Sequence, residues 1–455
     1  MKEDGLLLAF YGDDFTGSTD AMEALAISGY RTVLFLEPPS KELLDEFEGL
    51  RCIGVAGTSR AKNPADMEEE LRPVFKQLAE IKPRVVHYKT CSTFDSAPEV
   101  GSIGKAIEVA RTYFPDQTSI PLLVGAPPLG RYTLFGQHFA RMHDTVYRLD
   151  RHPVMSRHPI TPMKEADLRL HLAEQCSEKI DSMNILELEG SIDEVKNRYQ
   201  QKINDSGVVL FDVLDEERLR VSGQLIWETE GSSPVVVGSS GVGYAMTSYW
   251  KTAGFKTSES QAKDVQQVKP AQQVFAVSGS ASMVTQQQIE QAIEDGFIAL
   301  KVTVDQIMQT ESLPTALLEQ VTSLMRDGKS VLLYTTLGPE DEAIKETRQR
   351  FSELGIPEYQ SGEWIGRQLG RWTREVISAT GVRRVIVAGG DTSGFVTKEM
   401  GIYGLEMLLP VSPGAPLCTA YSKNEEMNGI ELALKGGQLG GVNYFSAVKQ
   451  ASTNP

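Results

Sequence analysis

The chain has 455 residues, 41% of them hydrophobic and 23% charged, an ordinary globular composition long enough for about two to four domains. Its formal net charge of −16 argues against nucleic acid or an anionic membrane surface as a partner, but leaves room for an anionic substrate in a locally positive pocket. No apolar run approaches the roughly 20 residues that span a bilayer. The apolar stretch after "MKEDG" is too short for a secretory core, so the expected location is cytoplasmic.

The first predicted unit is "LLLAFYGDDFTGSTDAMEALAISGYRTVLFL". Leu6 to Phe10 suit a buried strand, and Ser18 to Ser28 carry apolar positions at Met22, Leu25 and Ala26 on one helical face. Gly29 fits the helix C-terminus, and "RTVLFL" supplies a second strand. "YGDDFTG" is then the turn of a β-α-β unit, at the strand end where open α/β sheets bind ligands. One aspartate there needs no function, because it can cap the helix and complement its dipole. Two adjacent carboxylates repel each other, so Asp13 and Asp14, held between Gly12 and Gly17, are candidate ligand-binding groups.

The same alternation continues. "RCIGVAG" leads into "TSRAKNP", which brings Arg60, a guanidinium suited to gripping a carboxylate. "RVVHYKT" leads into "CSTFDS", which offers Lys89, Ser92, Thr93 and Asp95 at a strand end. Mixed polar loops of this kind suit a small hydroxylated acid better than an apolar ligand. "IPLLVGAPP" and "PVVVGSSGVGYAM" add further strands. Lys251 to Gln273 is rich in Gln, Lys and Ser and reads as a linker, so domains at 1–255 and 273–455 flank a linker at 256–272. The expected fold is α/β, with two domains that each carry a mostly parallel sheet flanked by helices.

The second half restarts with "QVFAVSGSASMVTQQQIEQAI", "SVLLYTTLG" and "RRVIVAGGDTSGFVTKEMG". Three loops there suit phosphate: Ser278 to Ser282, Gly389 to Gly394 with Gly390, Asp391 and Thr392, and Gly436 to Gly441. Glycines allow close backbone approach, and successive N–H groups at a helix start form an anion nest. The known phosphate signatures are missing. "EVGSIGKA" has Glu99 and Ala106 where a Walker loop needs Gly and Ser or Thr, and no G-x-G-x-x-G follows the first strand. Cys52, Cys91, Cys176 and Cys418 form no C-x-x-C pair, and the six histidines no H-E-x-x-H, so no structural metal or disulfide framework is expected. His152 and His158, beside prolines, read as loop packing.

These motifs, in this order, resemble the four-carbon acid sugar kinase family. "GDDFTGSTD" is similar to its D-D-x-T-G-A-x-D signature, "GTSR" to its second strand-end motif, and "YKTCSTFDS" to a K-x-D-S-T-L-R-G segment. "VSGSAS", "AGGDTSG" and "LALKGGQLGG" resemble its nucleotide motifs. The resemblance implies an N-terminal sugar-acid domain, a C-terminal ATP domain and a cleft between them. It places Asp13 and Asp14 on the sugar hydroxyls, Arg60, Lys89, Ser92 and Thr93 near the substrate, and Ser278, Gly389 to Thr392 and Gly436 on ATP. Asp14 or Asp13 is the candidate proton acceptor. Mg²⁺ would offset the triphosphate charge, and Asp391 either holds it or fixes its own loop.

Cys91 stands where the family has Asp, and Phe94-Asp95-Ser96 where it has Leu-Arg-Gly. These departures point away from threonate or erythronate and toward an oxidised or branched acid such as 3-oxo-isoapionate or 3-oxo-tetronate. The expected partners are a small sugar acid and ATP, with no nucleic acid and no membrane, and a homo-oligomer is allowed. Two rivals remain. A nucleotide-linked oxidoreductase predicts a dinucleotide fingerprint that is missing, and a two-lobed sugar-acid sensor predicts an output element that this acidic chain lacks.

Overall fold

Buried strands that end in polar loops organise the chain. The computed structural model describes residues 5–229, 234–257, 267–309, 312–357 and 360–453, so residues 258–266 of the expected linker lie outside the described residues. The chain divides into two compact units, Met1–Ala262 and Lys263–Pro455.

The first unit begins with β1 (Leu8–Gly12), α1 (Phe15–Ala26), β2 (Thr32–Phe35), α2 (Lys41–Asp45) and β3 (Cys52–Ala56). It continues through α3 (Pro64–Ile81), β4 (Val85–Lys89), α4 (Ile103–Tyr113) and β5 (Ile120–Leu123). A hairpin excursion follows, of β6 (Arg131–Leu134), β7 (Gln137–Met142) and β8 (Thr145–Arg148). The unit closes with α5 (Leu168–Ala173), β9 (Ile180–Met183), α6 (Ile192–Asp205), β10 (Val208–Phe211), α7 (Glu216–Glu228), β11 (Val235–Gly238) and α8 (Gly241–Thr252).

Its main sheet is parallel, in the order β2-β3-β1-β4-β11-β5-β10-β9. β1, β3 and β4 are buried almost throughout, as expected of strands covered by helices on both faces. Register places Gly12 opposite both Ala56 and Lys89, and Gly238 opposite Lys89. The loops carrying Asp13, Arg60 and Lys89 therefore leave the sheet side by side. The antiparallel β6-β7-β8 sheet is separate from the main one. Sequence periodicity missed it because its few buried positions, Thr133, His138 and Ala140, include no large apolar side chain and so leave no apolar face to read.

The second unit runs β12 (Phe275–Ser278), α9 (Met283–Glu294), β13 (Ile298–Lys301), α10 (Val304–Gln309), α11 (Thr315–Arg326) and β14 (Val331–Tyr334). Then come α12 (Ala343–Glu353), α13 (Ser361–Thr380), β15 (Arg384–Ala388), α14 (Gly390–Glu399), β16 (Ile402–Leu409), β17 (Leu417–Ser422), β18 (Glu431–Lys435) and α15 (Tyr444–Gln450). The order is β13-β14-β12-β15-β18-β17-β16, parallel as far as β18 and antiparallel across β17 and β16. Val274, Ala276, Ile289, Leu332, Ile386 and Ala433 are among the residues of its buried core. Among the described residues, no helix is long and apolar enough to cross a membrane.

Candidate active site

The two neighbouring aspartates do different work. Helix α1 starts at Phe15, three residues earlier than the apolar spacing suggests, because Asp14 is its N-cap. Asp14 has extended backbone, and its Oδ1 accepts the Gly17 N–H at 3.0 Å. Its Oδ2 receives the Arg60 guanidinium at 2.7 Å. The helix-capping reading therefore holds for Asp14.

Asp13 is 2% exposed, and its Oδ1 has no hydrogen-bond partner among the described residues. Burial, and next the Asp14 carboxylate, push Asp13 up to about 7, against the opposing pull of Arg60 and Lys89. A buried acceptor with nothing to accept is costly to the fold, and its natural remedy is a ligand hydroxyl.

The glycines flanking the pair are there for space. A Cβ on Gly17 would lie 1.9 Å from Lys89 Nζ and 2.4 Å from Asp14 Oδ1, and one on Gly12 would lie 2.0 Å from Ser18 Oγ. Lys89 is itself 3% exposed, so a buried ammonium sits beside the carboxylates. Backbone hydrogen bonds join the loops. Asp13 N–H donates to Lys89 O at 3.0 Å, Arg60 N–H to Asp13 O at 3.0 Å, and Gly57 N–H to Gly12 O at 2.9 Å.

Glu70 on α3 anchors the Arg60 turn. It accepts from Thr58 N–H at 2.9 Å, Thr58 Oγ1 at 3.0 Å and Tyr11 Oη at 2.5 Å, and pairs with Lys62 at 2.6 Å. Burial opposes its charge, but the bonds from Lys62, Tyr11 and Thr58 hold Glu70 below the usual carboxylate range.

Thr93 Oγ1 donates to Asp95 Oδ1 at 2.8 Å and lies 3.1 Å from Cys91 Sγ. Burial, followed by Asp95, pushes the Cys91 thiol up to about 11, so this position carries no charge near neutral pH. Ser92 contributes its carbonyl to His138 Nε2 at 3.0 Å, which ties the loop to β7. Phe94 takes φ +56°, a left-handed conformation unusual for a bulky residue. Its fully buried ring meets His171 edge to face at a 5.8 Å centroid separation. Ser96 donates to Phe94 O at 3.0 Å and receives Gln175 Nε2 at 2.9 Å. The segment that departs from the family pattern is thus held rigidly in place.

Sequence reasoning named no role for Asp20 or Arg131. Burial raises Asp20, with Lys89 opposing it. Burial lowers Arg131, with Cys91, Asp20 and Asp95 opposing. Asp20 was visible as the last residue of "GDDFTGSTD". Arg131 gave no signal, because it arrives on the hairpin excursion.

In the second unit, Ser278, Ala388 and Lys435 end neighbouring parallel strands, and the three suspected loops converge there. Gly279 N–H donates to Ala388 O at 3.1 Å, and Gly389 N–H to Lys435 O at 2.9 Å. Ser278 Oγ accepts from Ser280 N–H at 3.4 Å. A Cβ on Gly279 would approach Thr392 Oγ1 to 2.5 Å, and one on Gly437 would approach Ser280 Oγ to 2.9 Å.

Gly389, at φ +135°, precedes α14 and supplies no side-chain cap, so the first N–H groups at Gly390 and beyond start an uncapped helix. The Asp391 backbone lies in that first turn, and its side chain lies outside the described residues. Gly436 O accepts the Leu439 N–H at 3.2 Å. Lys435, which the sequence reading passed over for its glycines, is 1% exposed. Gly389→Ala is expected to cost about 1–3 kcal/mol of stability, from the φ alone, and to weaken nucleotide binding. Thermal melts with and without MgATP check it.

A family model described as a sugar-binding N-terminal domain matches residues 8–246, and one described as a nucleotide-binding C-terminal domain matches 275–445. The chain is 43% identical over 453 residues to a 3-oxo-isoapionate kinase of Paraburkholderia graminis, covering 98% of this chain and 94% of that protein. It is 29% identical to a 3-oxo-tetronate kinase of Pseudomonas savastanoi pv. phaseolicola, covering 98% and 97%. A solved Haemophilus influenzae protein has the same fold, with a TM-score of 0.72 at 23% identity over 97% of this chain and 99% of that one. The chain belongs to the four-carbon acid sugar kinase family and is a phosphotransferase with an alcohol group as acceptor.

Proposed function

We propose that the chain is an ATP-dependent kinase that phosphorylates a hydroxyl of a branched, oxidised sugar acid of the 3-oxo-isoapionate kind. The observation that carries the reading is Asp13, a buried carboxylate with an unfilled acceptor oxygen, set beside two cations in the unit that matches a sugar-binding domain. Asp13 accepts the proton of the attacking hydroxyl, the hydroxyl oxygen bonds to the γ-phosphorus, and ADP leaves with the electrons of the broken P–O bond. Asp14, Arg60, Lys89, Ser92 and Thr93 bind and orient the acid, with the cations offsetting its carboxylate.

ATP is bound by the second unit through Ser278, Gly389, Gly390, Asp391, Thr392 and Gly436. Its glycine turns leave no room for side chains, and α14 opens with uncapped N–H groups, so the chemistry suits phosphate oxygens. Among the described residues no three His, Cys, Asp or Glu side chains form a metal cage. Mg²⁺ offsets the charge of the nucleotide phosphates, and Asp391 either holds it or fixes its own loop.

The neutral Cys91 thiol and Asp95 support an acid other than threonate, because they stand where the family pattern has a carboxylate and an arginine. The 43% identity to a 3-oxo-isoapionate kinase points the same way. ADP release is expected with a branched 3-oxo acid at a kcat/KM well above that for threonate or erythronate. Equal or better turnover of plain threonate would refute the substrate, and silence across a panel of sugar acids would refute the kinase reading.

A further inference from the structure

Lys435 ends β18 directly before the Gly436–Gly437 turn. Its side chain is buried, and its Nζ donates to Thr285 Oγ1 at 2.9 Å. That hydroxyl reaches Gly437 O at 3.0 Å, so the ammonium lies against the turn itself. The Lys435 carbonyl is bonded to Gly389, the residue that opens α14. An ammonium has three donors, and Thr285 takes one of them. Among the described residues no carboxylate pairs with it. Burial alone pulls Lys435 down to about 8. Buried charges are normally paired, because desolvation is expensive. Among the described residues no side chain supplies that partner, and the surroundings are glycine turns and an uncapped helix start.

We propose that Lys435 binds the polyphosphate chain of the nucleotide, supplying a positive charge to the oxygens beyond the α-phosphate. This rests on the nucleotide-binding reading of the second unit and adds the residue that distinguishes a di- or triphosphate from a monophosphate. Thr285 and the Gly436–Gly437 turn hold the ammonium in place, while the α14 N–H groups meet the phosphates from the neighbouring strand end. The arrangement spends stability in the ligand-free chain for affinity in the bound one.

The test is calorimetric titration of the full chain with MgATP, MgADP and AMP, paired with thermal melts, for wild type, Lys435→Met and Lys435→Gln. Losing one charge-assisted bond to phosphate is expected to weaken MgATP and MgADP binding about 30-fold, with AMP binding unchanged within about twofold. The ligand-free Lys435→Met chain should melt at or above the wild-type temperature, because an uncompensated buried charge is gone. Lys435→Gln keeps a donor for Thr285 and should show the same loss of affinity. Wild-type affinity for MgATP in either variant overturns the proposal. So does a lower melting temperature with equal losses for AMP and ATP, since Lys435 would then only brace the Thr285–Gly437 contact. If the wild type itself binds no nucleotide, the nucleotide reading falls and this inference falls with it.

Discussion

Asp13→Asn is expected to lower kcat about 10³-fold, within the range that a positioned proton acceptor supplies. The same variant should raise the melting temperature of the ligand-free chain at pH 8. The folded-state pKa of Asp13, about 7, lies above the value near 4 of an exposed aspartate. The native state therefore holds a proton that the unfolded chain has released between those pH values, and stability falls as pH rises through that window. Asparagine removes the penalty. Wild-type kcat/KM should rise with pH around a midpoint near 7 and flatten above it, and the residual activity of Asp13→Asn should lose that step. Asp14→Asn is the comparison. It keeps an oxygen to cap α1 but gives up the Arg60 ion pair and the negative charge at the helix start, so it should lower the melting temperature along with activity. A variant at Asp13 that keeps both near-full turnover and the pH step would show that the proton goes elsewhere.

Lys89→Met is the second large effect. Its ammonium is buried beside Asp13 and Asp20 and favours the charged form of both. Removing it is expected to cost about 10²-fold in kcat/KM, the worth of a charged hydrogen-bonding partner in a desolvated site. It should also move the midpoint of the pH profile upward from about 7, since the counter-charge that pulls Asp13 down is gone. A loss of activity with an unmoved midpoint would mean that Lys89 serves the substrate carboxylate without tuning Asp13. Rate profiles between pH 5 and 9 separate the two.

Much of this was legible in the sequence because strand ends announce themselves. Apolar runs that stop at Gly, Asp or Ser marked β1, β12 and β15, and side-by-side parallel strands then bring their loops together without further instruction. The aspartate pair was visible, but its division of labour was not. Which residue caps α1 depends on where the backbone turns, and residues 13 and 14 are both carboxylates. Lys435 was hidden by its neighbours, since a lysine before two glycines looks solvated until β18 is seen to carry it inward. Arg131 and the Phe94–His171 contact depend on β6 and α5, excursions whose positions no local pattern encodes.

The backbone ties at Asp13, Arg60 and Lys89 have an evolutionary consequence. Peptide groups make those bonds, so these three ties do not themselves depend on which side chains the residues display. A change such as aspartate to cysteine at position 91 can alter the chemistry offered to a substrate while the neighbouring loops stay in register. A replacement of this kind is therefore expected to leave the three backbone ties in place.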